Sequence, residues 1–223
     1  MKKLYKAITF AALPVFCLFM FANTSAQSFR KGSFLISISE GSTFASYTTS
    51  GSAQNIDVIN RGNIAGDRDP LTIEYGLTKK WGIGLNMGGD LYNIDPSKFY
   101  NFSTPTNKVK AIMSELTIDA NYHFFVTRHT DLAACLSFGG SSVSFKGNNG
   151  DFHYQYNSGG NIVRIGTKAR YYFRKRFGVH GMLTAFTTKN ATNNVKGNTV
   201  ANNYTTGLSG YAIEFGLCYR ILR

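Results

Sequence analysis

The chain has 223 residues, 43% hydrophobic and 14% aromatic, with 24 Lys and Arg against 12 Asp and Glu for a net charge of +12. So apolar and aromatic a composition excludes an intrinsically disordered chain. Four prolines and 23 glycines, with no Gly-X-Y period, exclude collagen-like and Pro-rich linker material.

The first feature in chain order is a secretory signal. Lys2, Lys3 and Lys6 precede an uncharged run from Ala7 to Ala22, followed by Asn23, Thr24, Ser25 and Ala26. A basic start, an apolar core and small residues before a cut predict a signal peptide over 1–26, cleaved after Ala26. A membrane anchor is the weaker reading, because the run falls short of the roughly 20 residues of a spanning helix and Pro14 interrupts it. Cleavage leaves one domain over 27–223 with 21 basic and 12 acidic residues, a net +9.

The mature chain holds no further apolar run long enough for a helix to cross a bilayer. Its periodicity is two, the period of a strand with unlike faces. Phe34–Ile38 predicts a short first strand. In the second, Leu71, Ile73, Tyr75 and Leu77 oppose Thr72, Glu74, Gly76 and Thr78; in the third, Trp81, Ile83, Leu85 and Met87 oppose Gly82, Gly84 and Asn86. The fourth is the clearest, with Leu116, Ile118, Ala120, Tyr122 and Phe124 against Glu115, Thr117, Asp119, Asn121 and His123. The fifth sets Leu132, Ala134, Leu136 and Phe138 against Ala133, Cys135, Ser137 and Gly139. The sixth sets Val163, Ile165, Ala169, Tyr171 and Phe173 against Arg164, Gly166, Lys168, Arg170 and Tyr172. Phe177–Ala185 is a weaker seventh. In the eighth, Tyr211, Ile213, Phe215, Leu217, Tyr219 and Ile221 oppose Ala212, Glu214, Gly216, Cys218, Arg220 and Leu222.

Tight turns join these strands at Lys79-Lys80, Thr127–Thr130 and Arg174–Arg176. Between the turns lie Asn/Ser/Thr/Gly-rich segments at 41–69, 89–111, 146–160 and 187–207, which read as long loops, with Asn149-Gly150 as a hairpin tip. Tight turns at one end, long connections at the other and an even strand count predict an all-β fold, an eight-stranded antiparallel up-and-down transmembrane β-barrel.

With this pattern, and with Ser25-Ala26-Gln27 at the cut and a final strand running from Gly210 to Arg223, the mature chain resembles the small outer-membrane β-barrel proteins of Gram-negative bacteria. The resemblance rests on pattern and carries no fixed motif. It implies a porin-like barrel in the outer membrane of the cell envelope, with outer-membrane lipid and the barrel assembly machinery as partners. Members usually end on an aromatic residue, whereas this chain ends Ile221-Leu222-Arg223 with Tyr219 as its last aromatic.

Alternation alone does not say which face is inside, and a secreted lipocalin-like binder would turn the apolar face inward. Three features favour the membrane form. Tyr75, Trp81, Tyr122, Phe124, Tyr171, Phe173 and Tyr219 lie on apolar faces near the tight turns, where an interfacial girdle belongs. The polar faces hold Glu74, Glu115, Asp119 and Glu214 against Arg164, Lys168, Arg170 and Arg220, a balance that suits an enclosed lumen charge network, since an unpaired buried charge is costly. The chain also ends on a strand, without a closing helix.

Arg30, Lys31, Lys79, Lys80, Arg128, Arg174, Lys175, Arg176 and Arg223 all belong to the tight-turn end and account for the excess charge. Basic turns beside lipid headgroups explain them better than nucleic acid does. Cys135 and Cys218 sit three strands apart, beyond disulfide reach, and are expected as free thiols.

Catalytic signatures are scarce. Gly82-Ile-Gly84-Leu-Asn-Met-Gly88 misses dinucleotide spacing by one residue and opens no helix, and no histidines share metal-ligand spacing. His123 near Thr117 and Asp119 is the one polar constellation, better read as lumen lining. No enzyme activity, cofactor or metal is expected. The expected role is a monomeric membrane anchor or scaffold meeting an extracellular ligand through its loops, where Tyr92, Phe99, Tyr100, Phe102, Phe152, Tyr154, Tyr156 and Tyr204 supply aromatics. A narrow channel for small solutes is the alternative, and a barrel-embedded lipid-modifying enzyme or the lipocalin-like binder stands behind it.

Overall fold

The computed structural model describes residues 28–53, 56–94, 108–149, 152–174, 176–196 and 203–221. The expected signal peptide lies outside the described residues, as do Lys175, Leu222 and Arg223. Among the described residues, nine antiparallel strands form one sheet: β1 (Phe34–Ala53), β2 (Ile56–Arg68), β3 (Leu71–Gly76), β4 (Trp81–Ile94), β5 (Lys108–Val126), β6 (Thr130–Asn149), β7 (Phe152–Tyr172), β8 (Phe177–Lys196) and β9 (Asn203–Ile221).

Apart from β2 and β3, each strand pairs with its neighbour in sequence, and β1 pairs with β9 from Phe34↔Ile221 to Ser52↔Asn203, which closes the sheet into a ring. β2 and β3 share one place in that ring, because both pair with β1 on one side and β4 on the other. They are a single strand broken at Asp69-Pro70. Pro70 has no N–H for the ladder, although its carbonyl still accepts from the Ser39 amide at 3.1 Å. The nine strands thus fill eight positions of an up-and-down barrel, the architecture that the alternation predicts.

Strand length departs from the sequence reading. The segments at 41–69, 89–111, 146–160 and 187–207 are in large part ladder and not loop. β1 and β2 remain paired from Gly41↔Arg68 to Ala53↔Ile56, and β6 and β7 from Thr130↔Tyr171 out to Asn149↔Phe152, which puts the hairpin tip beside Asn149. β4 continues to Ile94, and β8 continues to Lys196. At about 3.3 Å per residue and a tilt of roughly 40°, the 21 residues of β7 climb roughly 50 Å, about twice the apolar band of a membrane barrel.

The extra height changes what the two faces must meet. In the half nearest the tight turns, the exposed side chains of the strands are mostly apolar, among them Ile38, Ile83, Ile118, Phe138, Ile165, Leu183 and Phe215, with Glu40 and Thr167 as exceptions. Most of the enclosed ones there are polar or small, with Leu35, Tyr172 and Met182 as exceptions. Toward the hairpin tips the arrangement inverts. Ser46, Asn63, Lys110, Ser142, Lys146, Asn161 and Lys189 face outward, while Tyr47, Ile64, Tyr92, Val109, Met113, Val143, Phe145, Ile162, Phe186 and Leu208 form a buried apolar core. β5 shows the exchange on one strand: its inward residues run Val109, Ala111, Met113, then Glu115, Thr117, Asp119, Asn121 and His123. Lipid surrounds one half and water the other, so burying apolar surface requires opposite phases in the two halves.

Candidate functional site: the ion-paired lumen

The lumen begins, below the apolar core, with a cluster built around Arg68. This side chain is fully buried and its three nitrogens serve three carboxylates on three strands: Nε donates to Glu214 at 2.6 Å, Nη2 to Glu115 at 2.5 Å, and Nη1 reaches Asp90 at 3.2 Å. Arg164 adds a fork onto Glu115 at 2.6–3.0 Å and lies 4.5 Å over the Phe186 ring. Thr43 donates to Asp90 at 2.8 Å. Guanidinium groups suit this work because their planar donors satisfy carboxylates bidentately, where a solvated charge would otherwise be left uncompensated.

A second cluster lies toward the tight turns. His123 sits between Glu74, 2.7 Å from Nε2, and Asp131, 2.6 Å from Nδ1. Arg170 joins the same two carboxylates, donating to Asp131 at 2.9 Å and to Glu74. Lys168 stands 3.8 Å from Glu74. Arg220 donates to the Ser28 carbonyl and lies 4.8 Å from the Tyr172 ring centre. Ions therefore bridge across the lumen as well as between neighbouring strands: Arg164 of β7 reaches β5, and Arg170 of β7 reaches β3.

All eight charges singled out in the sequence, Glu74, Glu115, Asp119, Arg164, Lys168, Arg170, Glu214 and Arg220, are enclosed. Asp119 takes no part in either cluster; its Oδ1 accepts from Thr117 at 3.1 Å. His123 is held by Glu74 and Asp131 and not by the Thr117 and Asp119 beside it in the sequence pattern. Arg68, Asp90 and Asp131 complete the clusters and were missed, the first two because their segments read as loop and the third because it precedes the apolar start of its strand. The usable signal was spacing: Arg68 stands six residues, an even step, before the inward Glu74.

Among the aromatics, Tyr75, Trp81, Phe124, Tyr171 and Phe173 are exposed near the tight turns, and Tyr122 and Tyr219 are half-buried there. Phe177 belongs with them, its ring 4.8 Å from that of Tyr219, and Trp81 packs 4.9 Å from Tyr122. Exposed Arg30, Lys31, Lys79, Lys80, Arg128, Arg174 and Arg176 line the same end. Tyr92 is no surface aromatic: it is fully buried in the apolar core. The side chains of Phe99, Tyr100, Phe102, Phe152, Tyr154, Tyr156 and Tyr204 lie outside the described residues. Cys135 and Cys218 are buried free thiols, and among the described residues no group of three or more His, Cys, Asp or Glu side chains is arranged to hold a metal.

No protein-family model matches the chain. No curated protein matches it either. Among solved structures it is similar to the outer membrane protein OprG from Pseudomonas aeruginosa, at 13% identity and a TM-score of 0.56, covering 90% of this chain and 100% of that one. It is also similar to the outer membrane protein AlkL, solved in lipid bilayers, at 12% identity and a TM-score of 0.50, covering 91% and 96%. The closed ring and these likenesses give the chain the fold of the small outer-membrane β-barrels, and its encircling belt of exposed apolar side chains is the surface that such a fold turns to lipid.

Proposed function

We propose that this protein is a monomeric, non-enzymatic anchor of the outer membrane that holds a rigid barrel extension above the lipid and conducts no solute. What supports the reading most directly is the cross-lumen tie in which Arg68 binds Asp90, Glu115 and Glu214 at once, under a closed apolar core. Eight strands leave a bore that side chains can fill, and here charges and apolar groups fill it in separate layers. The hairpin tips are the surface offered to an extracellular ligand, as loops on a rigid scaffold commonly are. Outer-membrane lipid meets the belt, and the barrel assembly machinery inserts the chain. Planar-bilayer recording of the purified folded protein tests the reading. The trace stays quiet if the barrel is an anchor; stable openings of uniform size would establish a channel instead.

A further inference from the structure

The floor of the lumen is made by the chain's own leading segment. The Ser28 amide donates to the Thr127 carbonyl at 2.6 Å, its hydroxyl to the Thr130 carbonyl at 2.7 Å, and its carbonyl accepts from Arg220. Phe29 is fully buried, lies flat on His123 with ring centres 3.4 Å apart, and packs with Leu35, Tyr172 and Cys218. The segment then turns back. Ser33 donates to the Arg30 carbonyl at 3.0 Å around Gly32, whose φ of +79° favours glycine; the Gly32 amide donates to the Gly76 carbonyl and the Gly76 amide to the Ser33 carbonyl, each at 2.8 Å, which leads into the ladder. Gly76 is a cradle for this passage: a Cβ there would stand 2.4 Å from the Arg30 carbonyl oxygen and 3.1 Å from the Phe29 ring.

Between this floor and the Arg68 cluster lies a belt of enclosed polar side chains on four consecutive strands, Asp119 and Asn121 of β5, Ser137 of β6, Lys168 of β7, and His180 and Thr184 of β8. Both amide atoms of Asn121, Lys168 Nζ and Thr184 Oγ1 have no hydrogen-bond partner among the described residues. Glu74, the carboxylate nearest to Lys168, is already engaged by Arg170 and His123. Buried donors and acceptors in such number are costly unless small molecules satisfy them.

We propose that Ser28–Ser33 is a removable plug, and that the belt behind it is a blind chamber that takes small hydrophilic solutes from the periplasmic side when the plug swings out. The inference rests on the closed-barrel reading, since the Arg68 cluster and the apolar core remain as the far wall. Two native thiols report on it. Cys218 belongs to the same buried cluster as the plug residue Phe29, and Cys135 pairs in register with Asn121 of the belt.

The test is labelling of the folded mature chain, residues 27–223, in liposomes by a small, charged methanethiosulfonate, which bilayers exclude, followed by intact mass. The wild type is expected to keep both thiols protected. Phe29→Ala, which removes the stacked ring, and Gly76→Val, which fills the cradle, are each expected to lose protection at both thiols while retaining heat-modifiable mobility. Protection of both thiols in these folded variants, or equal labelling of the wild type, would overturn the plug; labelling of Cys218 alone would overturn the chamber. Conductance is read separately on the same variants: a quiet bilayer supports a blind chamber, whereas openings that appear only in the variants would uphold the plug, overturn the chamber's closed far wall and contradict the anchor reading.

Discussion

Phe138 and Phe145 lie seven residues apart on β6 and on opposite faces. Phe138 is 61% exposed, while Phe145 is wholly enclosed. Neither position is anomalous. Around Phe138 the surroundings are lipid, which an outward ring can face without cost, so the interior of that half is free to carry charge. Around Phe145 the outward neighbours are Ser142, Ser144 and Lys146, which suit water, and the barrel there must make a core as a soluble protein does. One continuous ladder thus serves two solvents, and the ion pairs sit where the two regimes meet.

The comparison can be broken at several points. Arg68→Met is expected to do most damage, because it leaves Asp90, Glu115 and Glu214 without their shared cation; the loss should be about 3–5 kcal/mol or more, read as a lower unfolding midpoint in detergent. Phe145→Ala should cost about 3–5 kcal/mol by leaving a cavity in the upper core. Phe138→Ala on the same strand should cost at most about 1.5 kcal/mol, since lipid chains refill the space. Ile118→Arg puts a charge on the lipid face and should impair insertion by about 2–4 kcal/mol if it lies near the bilayer midplane, measured by folding into vesicles. Ser142→Arg faces outward as well, but above the lipid, and should stay within about 0.5 kcal/mol of the parent.

The lower half was legible from sequence because its outward residues are apolar without exception along Leu116, Ile118, Ala120, Tyr122 and Phe124, and such alternation has one structural meaning. The upper half was not. Where the phase exchanges, Lys110-Ala111-Ile112-Met113 mixes both patterns, and above it the outward Ser, Asn and Thr residues have the composition of loops although they stand in a ladder. Pro70 added to the misreading, since a proline followed by a fresh apolar alternation marks a strand start as readily as a break. The charge clusters were half visible. Glu74, Glu115 and Glu214 fall on clean polar faces, but which cation each would meet depends on closure and tilt: Arg68 of β2 reaches Glu214 of β9 only because β1 pairs with both strands and closes the ring. The plug had no sequence signal beyond Gly32 and Gly76, one needed for its positive φ and the other for the space of an absent Cβ, requirements that exist only in the folded barrel.

The exchange of faces is tested most directly by a nitroxide scan along β6. In a background lacking Cys135 and Cys218, labels would be placed singly at the outward positions Leu136, Phe138, Ser142 and Ser144, and each label's collision rates with oxygen and with a water-soluble nickel complex would be compared in liposomes. Oxygen should dominate at 136 and 138 and the nickel complex at 142 and 144, with the change falling around Gly140. Labels at 142 and 144 that read as lipid, or one at 138 that reads as water, would contradict a barrel whose two halves face different solvents.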